Sequence, residues 1–97
     1  MKNNIQHYRK ASGLTQKEVG ERLGVSGGAV SAWECGRTEP TIEQSFELAN
    51  IFGCTVVELF GKPDDKQMAR IKAYAAKIAE LPEAHRKAVE NLIDSLS

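Results

Sequence analysis

The sequence predicts an all-α protein: a compact front of five short helices over residues 1–61, a linker at 62–65, and a C-terminal two-helix hairpin over 66–97. Three observations predict it. Gly13, Gly24, Gly36, Gly53 and Gly61 each follow an apolar-periodic segment, where glycine turns the chain out of a helix. Threonines able to cap orphan amides stand three residues before Glu or Gln, as Thr15 with Glu18, Thr41 with Gln44 and Thr55 with Glu58. No run of alternating β-branched residues is bounded by hairpin signals, so strands are not expected.

The first helix is expected over Asn4–Ser12, closed by Gly13. The second runs from Gln16 to Leu23 behind the Thr15 box. The third covers Gly27–Cys35, with Ser26 as an N-cap whose third following residue, Ala29, supplies no reciprocal side chain. The fourth spans Ile42–Phe52 and the short fifth Val56–Phe60, each behind its own threonine box. Lys62-Pro63-Asp64-Asp65 is the one composition break, a linker followed by a helix start. Beyond it Met68, Ile71, Tyr74, Ala75, Ile78 and Leu81 recur at helical spacing. Pro82 interrupts that run, and Ala88, Val89, Leu92, Ile93 and Leu96 form a second apolar stripe.

Composition narrows the function classes. With 97 residues, 41% of them apolar and 27% charged, the chain has ordinary globular composition and room for one core. No apolar run approaches the ~18 residues of a membrane span, and the N-terminus has no secretory pattern, so a cytoplasmic protein without a membrane partner is expected. Two cysteines, Cys35 and Cys54, make no disulfide framework, and no Cys/His cluster has metal-ligand spacing. No paired carboxylates, nucleophile–base set or phosphate-cradling loop presents itself, so neither catalysis nor a cofactor is expected. A small-molecule ligand is not expected either, because the hairpin is too short to enclose a pocket. Thirteen basic and thirteen acidic residues cancel, yet they are unevenly placed. Residues 1–40 carry six bases against four acids, 41–60 carry three acids and no base, and 61–97 carry seven bases against six acids.

The basic front contains the informative stretch. Leu14-Thr15-Gln16 opens helix two, Gly24-Val25-Ser26 joins it to helix three, and Ser31-Ala32-Trp33-Glu34-Cys35-Gly36 closes the unit. Val19, Leu23, Val25, Val30 and Trp33 can meet in one seam, and Gly20 lets the third helix approach at a steep angle. Two short helices joined by a tight glycine-containing turn form a helix-turn-helix, whose second helix enters the major groove of DNA.

Over about residues 5–60 the chain resembles the Cro/C1-type (XRE-like, phage-repressor-like) helix-turn-helix family. The resemblance rests on the Leu-Thr-Gln opening, the Gly-Val-Ser turn, the Ser-x-Trp-Glu-x-Gly close, Pro40 and the Leu48-Ala49 pair. It implies a five-helix lambda-repressor-like domain that binds double-stranded DNA. It also implies that Gln16 and the helix-two amides grip a phosphate, and that Ser26, Gly27, Gly28, Ser31 and Ala32 face base edges. Arg9 and Glu34 match a family pair that forms a salt bridge between helices one and three, and the alternative is Arg9 as a phosphate contact. With Lys10, Lys17 and Arg37, Arg9 completes the candidate phosphate-facing bases.

The chain departs from the family where specificity resides. Gly27, Gly28 and Ala32 occupy positions where relatives often carry Gln, Arg, Asn or Ser, so bidentate base contacts cannot come from them. Two readings stand: close backbone approach with an alanine touching a thymine methyl, or readout carried by DNA shape and other residues. Trp33 reads as core, Cys54 as a small buried hydrophobe, and His7 and His85 as surface side chains.

The expected function is a transcriptional regulator, a repressor binding a palindromic operator as a homodimer. The hairpin stripes, with Ile71, Tyr74, Ile78, Val89, Leu92, Ile93 and Leu96, are the expected dimer interface, because two hairpins can close a four-helix bundle. Two alternatives stand beside it. An antitoxin-like or accessory module would use the hairpin to bind another protein, and a hairpin folded back on Phe46 and Phe60 would enlarge a monomer core.

Overall fold

The computed structural model describes residues 3–78, and within them all regular structure is helical. Helix α1 covers Ile5–Ala11, α2 Gln16–Leu23, α3 Gly27–Glu34, α4 Ile42–Phe52, α5 Val56–Phe60 and α6 Asp65–Ile78. Helices α2, α4 and α5 have the predicted bounds; α1 is one residue shorter at each end, and α3 stops at Glu34 with Cys35 as its cap.

Local chemistry explains these starts. At α2, α4 and α5 the threonine hydroxyl accepts from the third residue's amide, and that residue's side chain accepts from the threonine amide. Ser26 caps α3 through Oγ, which accepts from the Ala29 amide at 3.1 Å. A fourth reciprocal box, hidden within the expected linker, opens α6. Asp64 Oδ1 accepts from the Gln67 amide at 2.7 Å, and Gln67 Oε1 accepts from the Asp64 amide at 3.0 Å. The N-terminal stretch of chain is tied down as well. Asn3 Nδ2 donates to the Trp33 carbonyl at 2.9 Å, and Asn4 Nδ2 donates to that of Glu58 at 2.9 Å.

One core joins all six helices. Ile5 of α1, Val19 of α2, Val30 and Trp33 of α3, Phe46, Leu48 and Ala49 of α4, and Val56, Leu59 and Phe60 of α5 are buried together. Ile71 and Ile78 of α6 belong to the same cluster, at 0% and 4% exposure. Tyr74 is half-buried with its ring 4.8 Å from that of Phe46, and Met68 packs alongside. Burial first, then the carboxylates of Glu43 and Glu47 on α4, raise the Tyr74 phenol above its ordinary value.

This places three residues of the expected dimer interface within one chain. Ile71 and Ile78 are enclosed within the single chain, and Tyr74 stacks on α4. The contact runs through α4, whose Phe46 ring meets the Tyr74 ring of α6. For α6 the fold-back alternative therefore describes the packing. The second stripe, Val89, Leu92, Ile93 and Leu96, lies outside the described residues.

Candidate nucleic-acid interface

The unit α2–turn–α3 is held by contacts that leave little freedom. Gly24 adopts φ of 72°, a left-handed turn that glycine takes without strain. The next amide, that of Val25, donates to the Gly20 carbonyl at 2.8 Å. A methyl group placed on Gly20 would stand 2.6 Å from the Val25 carbonyl oxygen, so the turn folds directly over this residue. Gly27 plays a similar part at the other end: a methyl there would lie 3.3 Å from both N and Cα of Lys17. The start of α3 thus rests on the backbone of the first turn of α2.

This placement resolves the two glycines differently. Gly27 is half-buried against α2, whereas Gly28 is exposed, with only Ser26 Oγ near the place a methyl would occupy, at 3.7 Å. Gly28, Ser31 and Ala32 stand at i, i+3 and i+4 and so share one face of α3. Val30, Trp33 and Glu34 are the buried residues of that helix. Glu34 is the only charged residue of α3, so the outer face presents small, neutral groups.

Behind that face sits a buried ion pair. Arg9 Nε donates to Glu34 Oε2 at 2.6 Å, Arg9 Nη2 donates to Glu34 Oε1 at 3.3 Å, and Arg9 Nη1 donates to the Leu14 carbonyl at 2.9 Å. The Arg9 side chain is 11% exposed and that of Glu34 3%. The salt bridge implied by the family resemblance is present, and of the two readings of Arg9 it is the pairing with Glu34 that the geometry displays. All three of its nitrogens are engaged inside the protein, and its charge is matched by Glu34.

Gln16 joins this pair, its Nε2 donating to Glu34 Oε1 at 3.0 Å. The side chain at the start of α2 is therefore anchored to α3 and through Glu34 to α1. One amide hydrogen is used in that contact; an amide nitrogen carries two. Lys10, Lys17 and Arg37 are exposed, as is Ser26, whose hydroxyl serves the cap. Lys10 ends α1, Lys17 lies in the first turn of α2, and Arg37 follows α3, its amide donating to the Ala32 carbonyl at 3.0 Å.

Among the described residues no group of His, Cys, Asp and Glu side chains has the makings of a metal site, and no helix is long and apolar enough to cross a membrane.

The closely packed α2–α3 pair, its glycine turn and the neutral face of α3 define a helix-turn-helix protein. A helix-turn-helix family model matches residues 5–59, and the chain belongs to the Cro/C1-type helix-turn-helix family of transcriptional regulators. An uncharacterized HTH-type transcriptional regulator of Methanocaldococcus jannaschii is 35% identical over 66 residues, covering 68% of this chain and all of the relative. The cryptic phage CTXphi transcriptional repressor RstR of Vibrio cholerae is 29% identical over 99% of this chain and 86% of its own length. An uncharacterized HTH-type transcriptional regulator of Sinorhizobium fredii is 40% identical over 65% of this chain and 82% of the relative. No solved structure gives a significant match.

Proposed function

We propose that this chain is a sequence-specific transcriptional repressor that binds a palindromic operator as a homodimer. The observation that carries the DNA reading is the outer face of α3, free of charge and backed by a rigid clamp. Gly28 is exposed and Ser31 and Ala32 are half-buried on the same face, while Glu34, Arg9 and Gln16 lock the three N-terminal helices together. In this reading the α2 amides, the second Gln16 amide hydrogen, Lys10, Lys17 and Arg37 meet phosphates, and Ser31 and Ala32 meet base edges. Repression draws support from the near full-length likeness to a protein named as a phage repressor. The dimer role falls to Val89, Leu92, Ile93 and Leu96 together with whatever α6 leaves outside the core, since one short reading helix with two glycines has few direct contacts.

The test is a titration of duplexes selected from a random-sequence pool, run at several salt concentrations with light scattering of the complex. Gln16→Ala weakens binding to every duplex, and Ser31→Ala weakens it for the selected sequence only. Three free bases per chain and six per dimer give a slope of log affinity against log salt of roughly −5. A slope shallower than about −2, or a complex holding one chain, overturns the operator-bound dimer.

A further inference from the structure

The seven residues between α3 and α4, numbers 35–41, carry Arg37 immediately behind the reading helix. Their backbone returns to α3 through Gly36, Arg37 and Thr38, whose amides reach the carbonyls of Trp33 and Ala32. Pro40 is buried. Between these ties stands Glu39, an acidic residue two positions from the one exposed base of the loop. In a protein that approaches phosphates, a free carboxylate there opposes binding, since unlike Arg37 it repels the backbone over a screening length of ~8–10 Å.

The fold does not leave it free. Gln67 Nε2 donates to Glu39 Oε1 at 2.7 Å, and Arg70 Nη2 lies 3.8 Å from the same oxygen. Gln67 is committed at its other end as well, because its Oε1 accepts the Asp64 amide in the box that starts α6. One side-chain amide thus uses its oxygen to fix the helix start and its nitrogen to hold the loop. The Arg70 contact is long, and both its side chains are about half exposed, so its main effect is to offset charge rather than to bind.

We infer that Gln67 is a positioning residue for DNA binding: by holding Glu39 it fixes the loop that presents Arg37 to a phosphate, with Arg70 cancelling the carboxylate's charge. This rests on the DNA reading above and extends it to α6, which has no expected DNA contact of its own. An α6 that is packed on the core through Ile71 and Ile78 is a rigid base for such a hold.

The experiment is a double-mutant cycle between Gln67→Ala and Arg37→Ala in the full chain, read by affinity for a duplex selected from a random-sequence pool. Gln67→Ala changes no formal charge. It is expected to weaken binding about three- to tenfold in the native background and less than about twofold once Arg37 is already alanine. The salt slope should become shallower by roughly one phosphate contact per chain in the first case and stay unchanged in the second. Equal losses in both backgrounds, with urea midpoints recorded in parallel, mean that Gln67 acts through helix stability alone and overturn the inference. A native chain that binds no duplex overturns the DNA reading, and the inference that rests on it falls too.

Discussion

Gly27 and Gly28 look alike in sequence and differ completely in the space around them. Glycine inside a helix costs roughly 1 kcal/mol relative to alanine, so each is an apparent defect in α3. At Gly28 nothing is gained in exchange, because a methyl meets only Ser26 Oγ at ordinary contact distance. At Gly27 the methyl presses on the Lys17 backbone at 3.3 Å, and backbone at a helix start cannot step aside as a side-chain tip would. Gly28→Ala should therefore raise stability by about 0.5–1 kcal/mol, while Gly27→Ala should be neutral or destabilising. Urea midpoints of the two variants decide it, and a gain at both would mean that α2 and α3 are less tightly docked than the contact distances indicate. The same spacing logic explains the buried pair. Glu34 accepts from three nitrogens, two on Arg9 and one on Gln16, so its role is registry among helices rather than net stability.

At the scale of elements, α6 is the informative case. Its apolar residues Ile71 and Ile78 are enclosed by the chain itself, so Ile71→Ala should cost about 2–5 kcal/mol in the unfolding free energy of the whole protein. A loss under about 1 kcal/mol would place α6 outside the cooperative core. Helices α2, α4 and α5 are legible to the residue because a threonine box starts each and a glycine ends it, whereas α1, whose Asn4 makes no side-chain cap, is placed only to within a residue at each end. For α6 the sequence predicts the helix and leaves its neighbour open between a second chain, another protein and the chain's own Phe46. Periodicity says which residues share a face, and it is silent on whether that face meets a second chain or the Phe46 ring. Asp64-x-x-Gln67 is also a capping signal, masked by the Pro63 and paired acids that read as linker. Arg9 shows the same limit at the site: spacing puts a base near the front of the protein, and only the position of Glu34 in space decides whether that base is spent.

For the whole molecule, one buried thiol reports on cooperative folding. Cys54 is 6% exposed, and burial first, then the Glu58 carboxylate, pushes its thiol from 9.0 up to about 11. Between those values the unfolded chain has released the proton while the folded chain still holds it. Stability is thus at its full value below pH 9.0 and falls as pH climbs toward 11, by on the order of 2 kcal/mol. Thermal or urea unfolding should show the decline, and Cys54→Ala should flatten it between pH 9.0 and 10.0; a flat native profile there would contradict the burial. Tyr8 and Tyr74, both raised by burial, join the decline only above their ordinary value of 10.0.

Because α6 shares its core with the reading helices, the natural seams of this protein are not where its composition changes. Recombination that joins a new C-terminal partner at residue 62 would discard Ile71 and Ile78 and bare the Phe46 face, handing the descendant a wounded DNA reader. A crossover beyond residue 78 leaves Ile71 and Ile78 in the chain that carries the rest of their core.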